Sequence, residues 1–306
     1  MTFVILLVVM LLQLLPLCLV QQPPKQTNKT PSKDAHLSTD ASLLETGQAT
    51  KLRQPTQSNE LKIVSYNIRW RSGDDLKQLI KLFHNDAEIG GPSIIALQEV
   101  DRRKKRSGQT NTIKLLAEEL GLYYVWAAPP TANADDEEET GVAILSVYPL
   151  LDIHRIVLPH EGPGGRHRVA VGACVKLNNT ELRIYSAHAE TRISMDEKLD
   201  QLSSLVEDLN QHSATVPAII MGDLNTWQSD AGKKTIKLFT DAGFVTPFGS
   251  EKTFSRKVMF VPIEFHLDWI WMRGVEATQH GIDRQINISD HWPLWTTVKL
   301  RTIDKR

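Results

Sequence analysis

A chain of 306 residues with 41% apolar and 23% charged residues has the material for a sizeable core. Its formal net charge of −1 excludes a strongly basic domain that would attract nucleic acid regardless of sequence, but leaves room for a local basic rim. Two cysteines, Cys18 and Cys174, are too far apart in role to staple the fold. Cys18 falls in an N-terminal segment and Cys174 in a strand-like run, so no internal disulfide is expected.

Taken in chain order, residues 3–20 are almost wholly apolar, interrupted by Gln13 and Pro16. A helix of that length spans roughly 27 Å, near the thickness of a bilayer's hydrocarbon core. The run predicts either a cleaved secretory signal peptide or a retained N-terminal membrane anchor in residues 1–20. The protein is then expected to be secreted, periplasmic or attached to the outer face of a membrane through residues 3–20. Residues 21–59 are rich in Gln, Pro, Thr, Ser and Lys and read as a disordered polar linker. Residues 60–302 read as one catalytic domain, expected to be monomeric.

Within that domain, strand and helix patterns alternate. A strand is predicted over 61–68, a helix over 74–83, a strand over 94–97 and a helix over 110–120 stopped by Gly121. Strands follow at 123–127, 142–146, 152–158, 169–176 and 182–186. A long helix over 195–209 places Leu199, Leu202, Leu205, Val206 and Leu209 on one face. A buried strand over 217–221, a helix over 233–241, and strands over 266–272 and 292–300 complete the set. The consecutive strands in the middle argue against a simple βαβ repeat. They favour an α/β sandwich of two mixed sheets with helices outside. The basic run Arg102–Arg106 and the acidic run Asp135–Glu139 fall between elements and read as solvated loops.

Five apolar runs end on residues that bind metals or move protons: Asn67, Gln98-Glu99, His188, Asp223-Leu224-Asn225 and Asp290-His291. Strand ends far apart in sequence converge only in a folded sheet, where the adjoining loops open a cleft. Oxygen donors from Asp, Glu and Asn suit Mg²⁺ or Mn²⁺, whereas no His-x-x-x-His spacing or paired cysteines suggest zinc. Histidines 188 and 291 suit acid and base roles in a hydrolysis, with Asp268 a candidate to hold one tautomer.

This ordered set resembles the endonuclease/exonuclease/phosphatase superfamily, which includes deoxyribonuclease I and neutral sphingomyelinases. The resemblance spans residues 61–301 and rests on Lys62-Ile63-Val64-Ser65-Tyr66-Asn67, Ile95-Ala96-Leu97-Gln98-Glu99, Gly141-Val142-Ala143-Ile144-Leu145-Ser146, Tyr185-Ser186-Ala187-His188, Met221-Gly222-Asp223-Leu224-Asn225, Leu267-Asp268-Trp269-Ile270 and Ser289-Asp290-His291. It implies a four-layer, deoxyribonuclease I-like sandwich. It also implies a Mg²⁺ site at Asn67, Glu99 and Asp290, and catalytic roles for His188, Asp223, Asn225, Asp268 and His291. The acid and base labels of the two histidines are interchangeable at this level. The carboxylate supporting His188 would be Glu139 or a neighbour.

The implied substrate is a phosphoester. An exported phosphodiesterase acting on lipid-linked or small molecules heads the readings. The alternatives are an exported nuclease, with Arg102–Arg106 on backbone phosphates, and a non-catalytic binding domain, which the complete acid and histidine set opposes. Glu161-Gly162-Pro163-Gly164-Gly165 reads as a turn, and Arg166 and Arg168 beside it face either a phosphate or solvent. Trp227 is a candidate to line the cleft.

Overall fold

The computed structural model describes residues 43–300, apart from 57, 59, 131–138, 178–179, 214 and 228–229. The apolar run 3–20, most of the expected linker and most of the acidic run lie outside the described residues. Among the described residues, no helix is long and apolar enough to cross a membrane.

One sheet has seven strands in the order β1 (Leu44–Gln48), β4 (Tyr123–Ala127), β5 (Glu139–Ser146), β3 (Ile94–Arg102), β2 (Glu60–Asn67), β14 (Leu294–Leu300) and β13 (Val275–Ile282). The other has five, in the order β12 (Asp268–Arg273), β9 (Ala218–Asp223), β8 (Thr180–His188), β7 (Arg166–Leu177) and β6 (Leu151–Gly162). Each sheet is mixed, with one parallel pair among the antiparallel ones: β2 with β3, and β8 with β9.

Burial on both faces explains the near-continuous apolar strands. Between the sheets, Ile63, Ile94, Ala96 and Ile144 meet Val171, Ile184, Ile219, Met221 and Ile270. On the outer face of the larger sheet, Val64, Ile95 and Leu97 pack with α1 (Gly73–Asn85) and α2 (Thr112–Leu120). On the outer face of the smaller one, Tyr185, Ile220 and Trp271 pack with α3 (Met195–Asn210) and α4 (Ala231–Asp241). The result is the expected four-layer α/β sandwich. A capping box between Ser194 and Glu197 starts α3 on register.

Three elements escaped the sequence reading. Strand β1 lies inside the stretch expected to be linker, where it pairs with β4. Its anchor is polar: Glu45 accepts hydrogen bonds from Arg102, Asn111 and Tyr124, while Leu43 is buried. A hairpin of β10 (Phe254–Val258) and β11 (Val261–Phe265) is short and half-exposed. Strand β13 is a polar edge strand with a bulge. Their sequence signal is short or interrupted: β11 alternates only over Val261, Ile263 and Phe265 and contains Pro262, and β13 turns polar after Ala277. The strands β3, β6 and β7 also run longer than expected.

Gly222 shows how tightly the site strands are set. Its φ is +141°, and a Cβ there would lie 2.0 Å from the carbonyl oxygen of Ala187 on β8. A side chain therefore forces the parallel pair β8–β9 apart next to Asp223. Gly222→Ala should lower the melting temperature by several degrees or more in a circular dichroism melt, and an unchanged value would contradict this packing.

Candidate active site

The two parallel strand pairs end side by side. Asn67 lies opposite Gln98 at the end of β2–β3, and His188 lies opposite Asp223 at the end of β8–β9. Hydrogen bonds tie the ends together across the sandwich. Asn67 donates to Asp223 Oδ2 (3.0 Å), Gln98 donates to Ser186 Oγ (3.1 Å), and Ser186 donates to the Leu97 carbonyl (3.1 Å). Strand β12 brings Asp268 beside Asp223. The loop before β14 carries Asp290 and His291, fixed by Ser255 N on the Asp290 carbonyl and Trp292 N on the Thr253 carbonyl. All eight residues expected from the sequence gather at this end of the sandwich.

His291 and Asp223 form the buried centre. The ring Nδ1 of His291 donates to Asp268 Oδ2 (2.8 Å), and its Nε2 stands 3.7 Å from Asp223 Oδ2. Burial alone would strip the imidazole of its proton, but the Asp268 and Asp223 charges and the Asp268 hydrogen bond overcome it and raise the His291 pKa. Burial raises the Asp223 carboxyl in turn, against the pull of His291. The two groups titrate as a pair. Thr253 locks Asp268 in place: its hydroxyl donates to Asp268 Oδ2 (2.7 Å) and accepts from the Leu267 and Asp268 amides. Ligand atoms of Asp223, Asp268 and His291 lie within 4.8 Å of one another. Asp268 Oδ2 is committed to His291 and Thr253, while its Oδ1 is buried with no partner among the described residues.

His188 is held differently. Its Nε2 faces Asp223 Oδ2 at 3.5 Å, and its Nδ1 lies 3.2 Å from the Arg168 guanidinium. Arginine can only donate, so Nδ1 accepts and the ring proton sits on Nε2, toward Asp223. Burial, then the charges of Arg168, His291 and Arg166, push the His188 pKa well below the usual value. His188 is a neutral hydrogen-bond donor here. Glu139 accepts from Arg102 (3.0 Å) rather than supporting His188, and its acidic neighbours 135–138 lie outside the described residues. Arg168 is itself anchored with Arg166 on the fully buried Glu190. Burial would raise the Glu190 carboxyl, but the Arg166 hydrogen bond and the two arginine charges hold it at about 2.

Asn225 does not simply repeat the direction of Asp223. It takes a left-handed turn (φ 53°), and its side-chain amide donates to the Ala189 carbonyl (2.9 Å) while its backbone amide caps Asp223 Oδ1 (3.1 Å). It shapes the floor of the site. Beneath it, Lys198 of α3 donates to the Asn225 carbonyl (2.5 Å), and Gln201 accepts from the Glu190 amide (2.8 Å).

Glu99 sits at a bulge in β3 with φ 55°, which turns its carboxylate out of the sheet. The segment after β2 closes over it. Arg69 and Trp70 both adopt left-handed conformations; Trp70 Nε1 donates to Glu99, and Arg69 pairs with Asp290 at 2.6 Å. Asn67 Nδ2 also reaches Glu99 Oε1 (3.4 Å). Glu99, Asp290, Asp223 and Asp268 are four carboxylates facing the cations Arg69, His291 and Lys198. The donor set is hard oxygen and so fits one divalent cation of the Mg²⁺ kind. Glu99 and Asp290 would hold it, with Asn67 alongside.

A groove of 480 Å³ runs from His188 past Arg168, Arg166 and Glu99 to Trp70, Arg106 and Lys104. The basic run is not the uniform solvated loop expected. Arg102 is buried against Trp126 and pairs with Glu45, because it ends β3. Arg106 makes a two-pronged pair with Asp101 (2.8 Å) and lies over the Trp70 ring. The glycine loop at 161–165 is the β6–β7 turn. Trp227 packs against Phe265 and bonds the Thr191 carbonyl.

Sequence reasoning missed Thr253, Glu190, Arg69, Trp70, Lys198 and Gln201. One signal was available: Lys198 and Gln201 stand on the apolar stripe of α3 with Leu202 and Leu205, where a polar residue is buried and must have a partner.

Residues 64–291 match the profile of the Endonuclease/Exonuclease/phosphatase family. Among solved structures, an endonuclease/exonuclease/phosphatase from Beutenbergia cavernae DSM 12333 superposes with a TM-score of 0.60 at 16% identity, over 79% of this chain and 72% of that one. The human Nocturnin catalytic domain with bound sulfate anion gives 0.62 at 15% identity, over 79% and 94%. TDP2 from D. rerio, complexed with single strand DNA product, gives 0.60 at 16% identity, over 79% and 100%. These likenesses establish the fold. No curated protein matches the sequence.

The Glu190 carboxylate makes a pH-dependent contribution of known sign. Its folded value of about 2 lies below the ordinary 4.5, so its contribution is complete above 4.5 and is lost as pH falls toward about 2. Denaturant unfolding should show Glu190→Gln to be less stable than wild type at pH 6, with a gap that narrows below pH 4. A gap that stays constant with pH would contradict the ion-pair assignment.

Proposed function

Because the chain belongs to the endonuclease/exonuclease/phosphatase family, whose members hydrolyse phosphoester bonds, we propose that it is an exported, Mg²⁺-dependent phosphodiesterase. Mn²⁺ is the alternative metal. The observation that carries the reading is the convergence of Glu99, Asp290, Asn67, His188, Asp223, Asp268 and His291 at the joined ends of the two parallel strand pairs.

When bound, the cation polarises a phosphoryl oxygen. The chain's own residues handle the rest. Asp223, paired with the His291 imidazolium, orients the attacking water and takes its proton, and Asp268 with Thr253 holds the imidazolium. The Nε2–H of neutral His188 donates to an oxygen of the phosphoryl group, where negative charge develops. Arg168 keeps that proton on the correct nitrogen. The apolar run 3–20 supports export or attachment at a membrane's outer face, which would place the enzyme near lipid-linked or small diesters.

A second reading, an exported nuclease, draws support from the groove. Arg106 and Lys104 line one end beside Trp70, and Arg166 flanks the far side. The TDP2 structure with single strand DNA product is consistent with that use of the fold.

Full-length protein should hydrolyse bis-(p-nitrophenyl) phosphate or sphingomyelin with Mg²⁺ or Mn²⁺, and EDTA should abolish turnover. Asp223→Asn should lose roughly 10²–10⁴-fold. Cleavage of plasmid DNA or RNA in place of the small and lipid diesters would select the nuclease reading. Metal-independent turnover, or none of any substrate, would overturn the proposal.

A further inference from the structure

A second cluster of metal-binding side chains lies away from the active site, where strand β6 meets the C-terminal end of α3. One ligand atom each from His154, Asp208 and His212 lies within 4.8 Å of the others. Among the described residues this is the one such group outside the catalytic network.

The surroundings have the form of a metal site with its supporting shell. Asp152 faces both imidazoles: its Oδ1 lies 3.4 Å from His154 Nε2 and its Oδ2 lies 3.6 Å from His212 Nδ1. A carboxylate beside a metal-binding histidine can orient its ring, although at these distances Asp152 hydrogen-bonds neither. His154 Nδ1 hydrogen-bonds Asp208 Oδ1 (2.9 Å), and His212 Nε2 is buried with no hydrogen-bond partner among the described residues. An unpartnered buried ring nitrogen is costly unless something binds it. The other oxygen of Asp208 is already taken by the Tyr185 hydroxyl (2.7 Å) and lies 3.5 Å from Arg183. Oδ1 bonds His154 Nδ1, a contact that a metal ion held between the two would replace.

Backbone and charge agree with this reading. A bulge between Leu151 and His154, with Asp152 at φ 45°, aims these side chains out of the β6–β7 ladder. Arg183, buried and 2.8 Å from Asp152 Oδ2, neutralises one of the two carboxylates. The cluster also sits next to the partly negative C-terminus of α3.

We propose that His154, Asp208 and His212 bind a structural zinc ion, with Asp152 as the supporting carboxylate. Two imidazoles and one carboxylate are a donor set for zinc rather than Mg²⁺. The ion would staple α3 to the edge of the five-stranded sheet. The opposite half of the same helix, about 24 Å long, carries Lys198 and Gln201 beneath the active site.

Metal-stripped full-length protein, its Glu99→Gln variant and its His212→Ala variant would be titrated with Zn²⁺, and with Co²⁺ as a visible probe. Wild type and Glu99→Gln should both bind one tight equivalent, develop the intense d–d absorption of low-coordinate Co²⁺ and gain roughly 5 °C in melting temperature with Zn²⁺ in hundredfold excess over Kd. His212→Ala should lose that equivalent, that absorption and that shift while keeping diester hydrolysis. Equal Zn²⁺ stoichiometry and equal shifts in wild type and His212→Ala would overturn the proposal. So would loss of the tight equivalent in Glu99→Gln alone. If His212→Ala does not fold, anomalous scattering from zinc-soaked crystals of the unaltered protein decides. A peak between His154, Asp208 and His212 supports the site, and a peak confined to the active site overturns it.

Discussion

Buried charge is the constraint on which this structure turns. Asp223, Asp268, His188, His291, Glu190 and Lys198 are all withdrawn from water within one end of the sandwich. Unpaired, any of them would cost several kcal/mol. Each is answered by a specific partner instead. The partners come from opposite sheets, from α3 and from the loops, so the fold cannot relax at one point without exposing a charge at another. The Asn67–Asp223 hydrogen bond is the narrowest of these links, since it alone joins the metal-binding side to the proton-moving side by direct side-chain contact at 3.0 Å.

The two histidines look equivalent in sequence but are made opposite by their neighbours. His291 lies between Asp268 and Asp223 and is driven toward its charged form; His188 lies against Arg168 and is driven toward its neutral form. A pair of titratable groups pushed apart in this way divides the labour of a hydrolysis. The division assigned from the sequence was left open between them. Two carboxylates face His291, whereas an arginine faces His188 where a carboxylate was expected.

The legible parts of the sequence were those governed by periodicity. The apolar strands 61–68, 94–97, 182–186 and 217–221 are buried on both faces, and their terminal polar residues stand out against them. That contrast is why Asn67, Glu99, His188 and Asp223 were readable, and why the four-layer sandwich was too. What stayed hidden depends on contacts between distant segments. Strand β1 is held by Glu45 reaching Arg102, Asn111 and Tyr124, a polar anchor with no local signature. Thr253 is one threonine among many until β10 brings it to Asp268. Arg102 looked solvated in a run of basic residues, whereas the length of β3 carries it into the core. Glu139 lay close enough in sequence pattern to suggest a partner for His188, but Arg102 had already claimed it.

The central claim is that the residues at the joined strand ends hold a divalent cation against the substrate phosphate. Mn²⁺ binding to the unaltered protein and to Glu99→Ala, followed by electron paramagnetic resonance of the free ion, tests it without reference to any substrate. A site filled by Mn²⁺ in the unaltered protein, displaced by Mg²⁺ and weakened at least tenfold in Glu99→Ala, is the predicted result. Equal Mn²⁺ binding by both proteins would contradict the account.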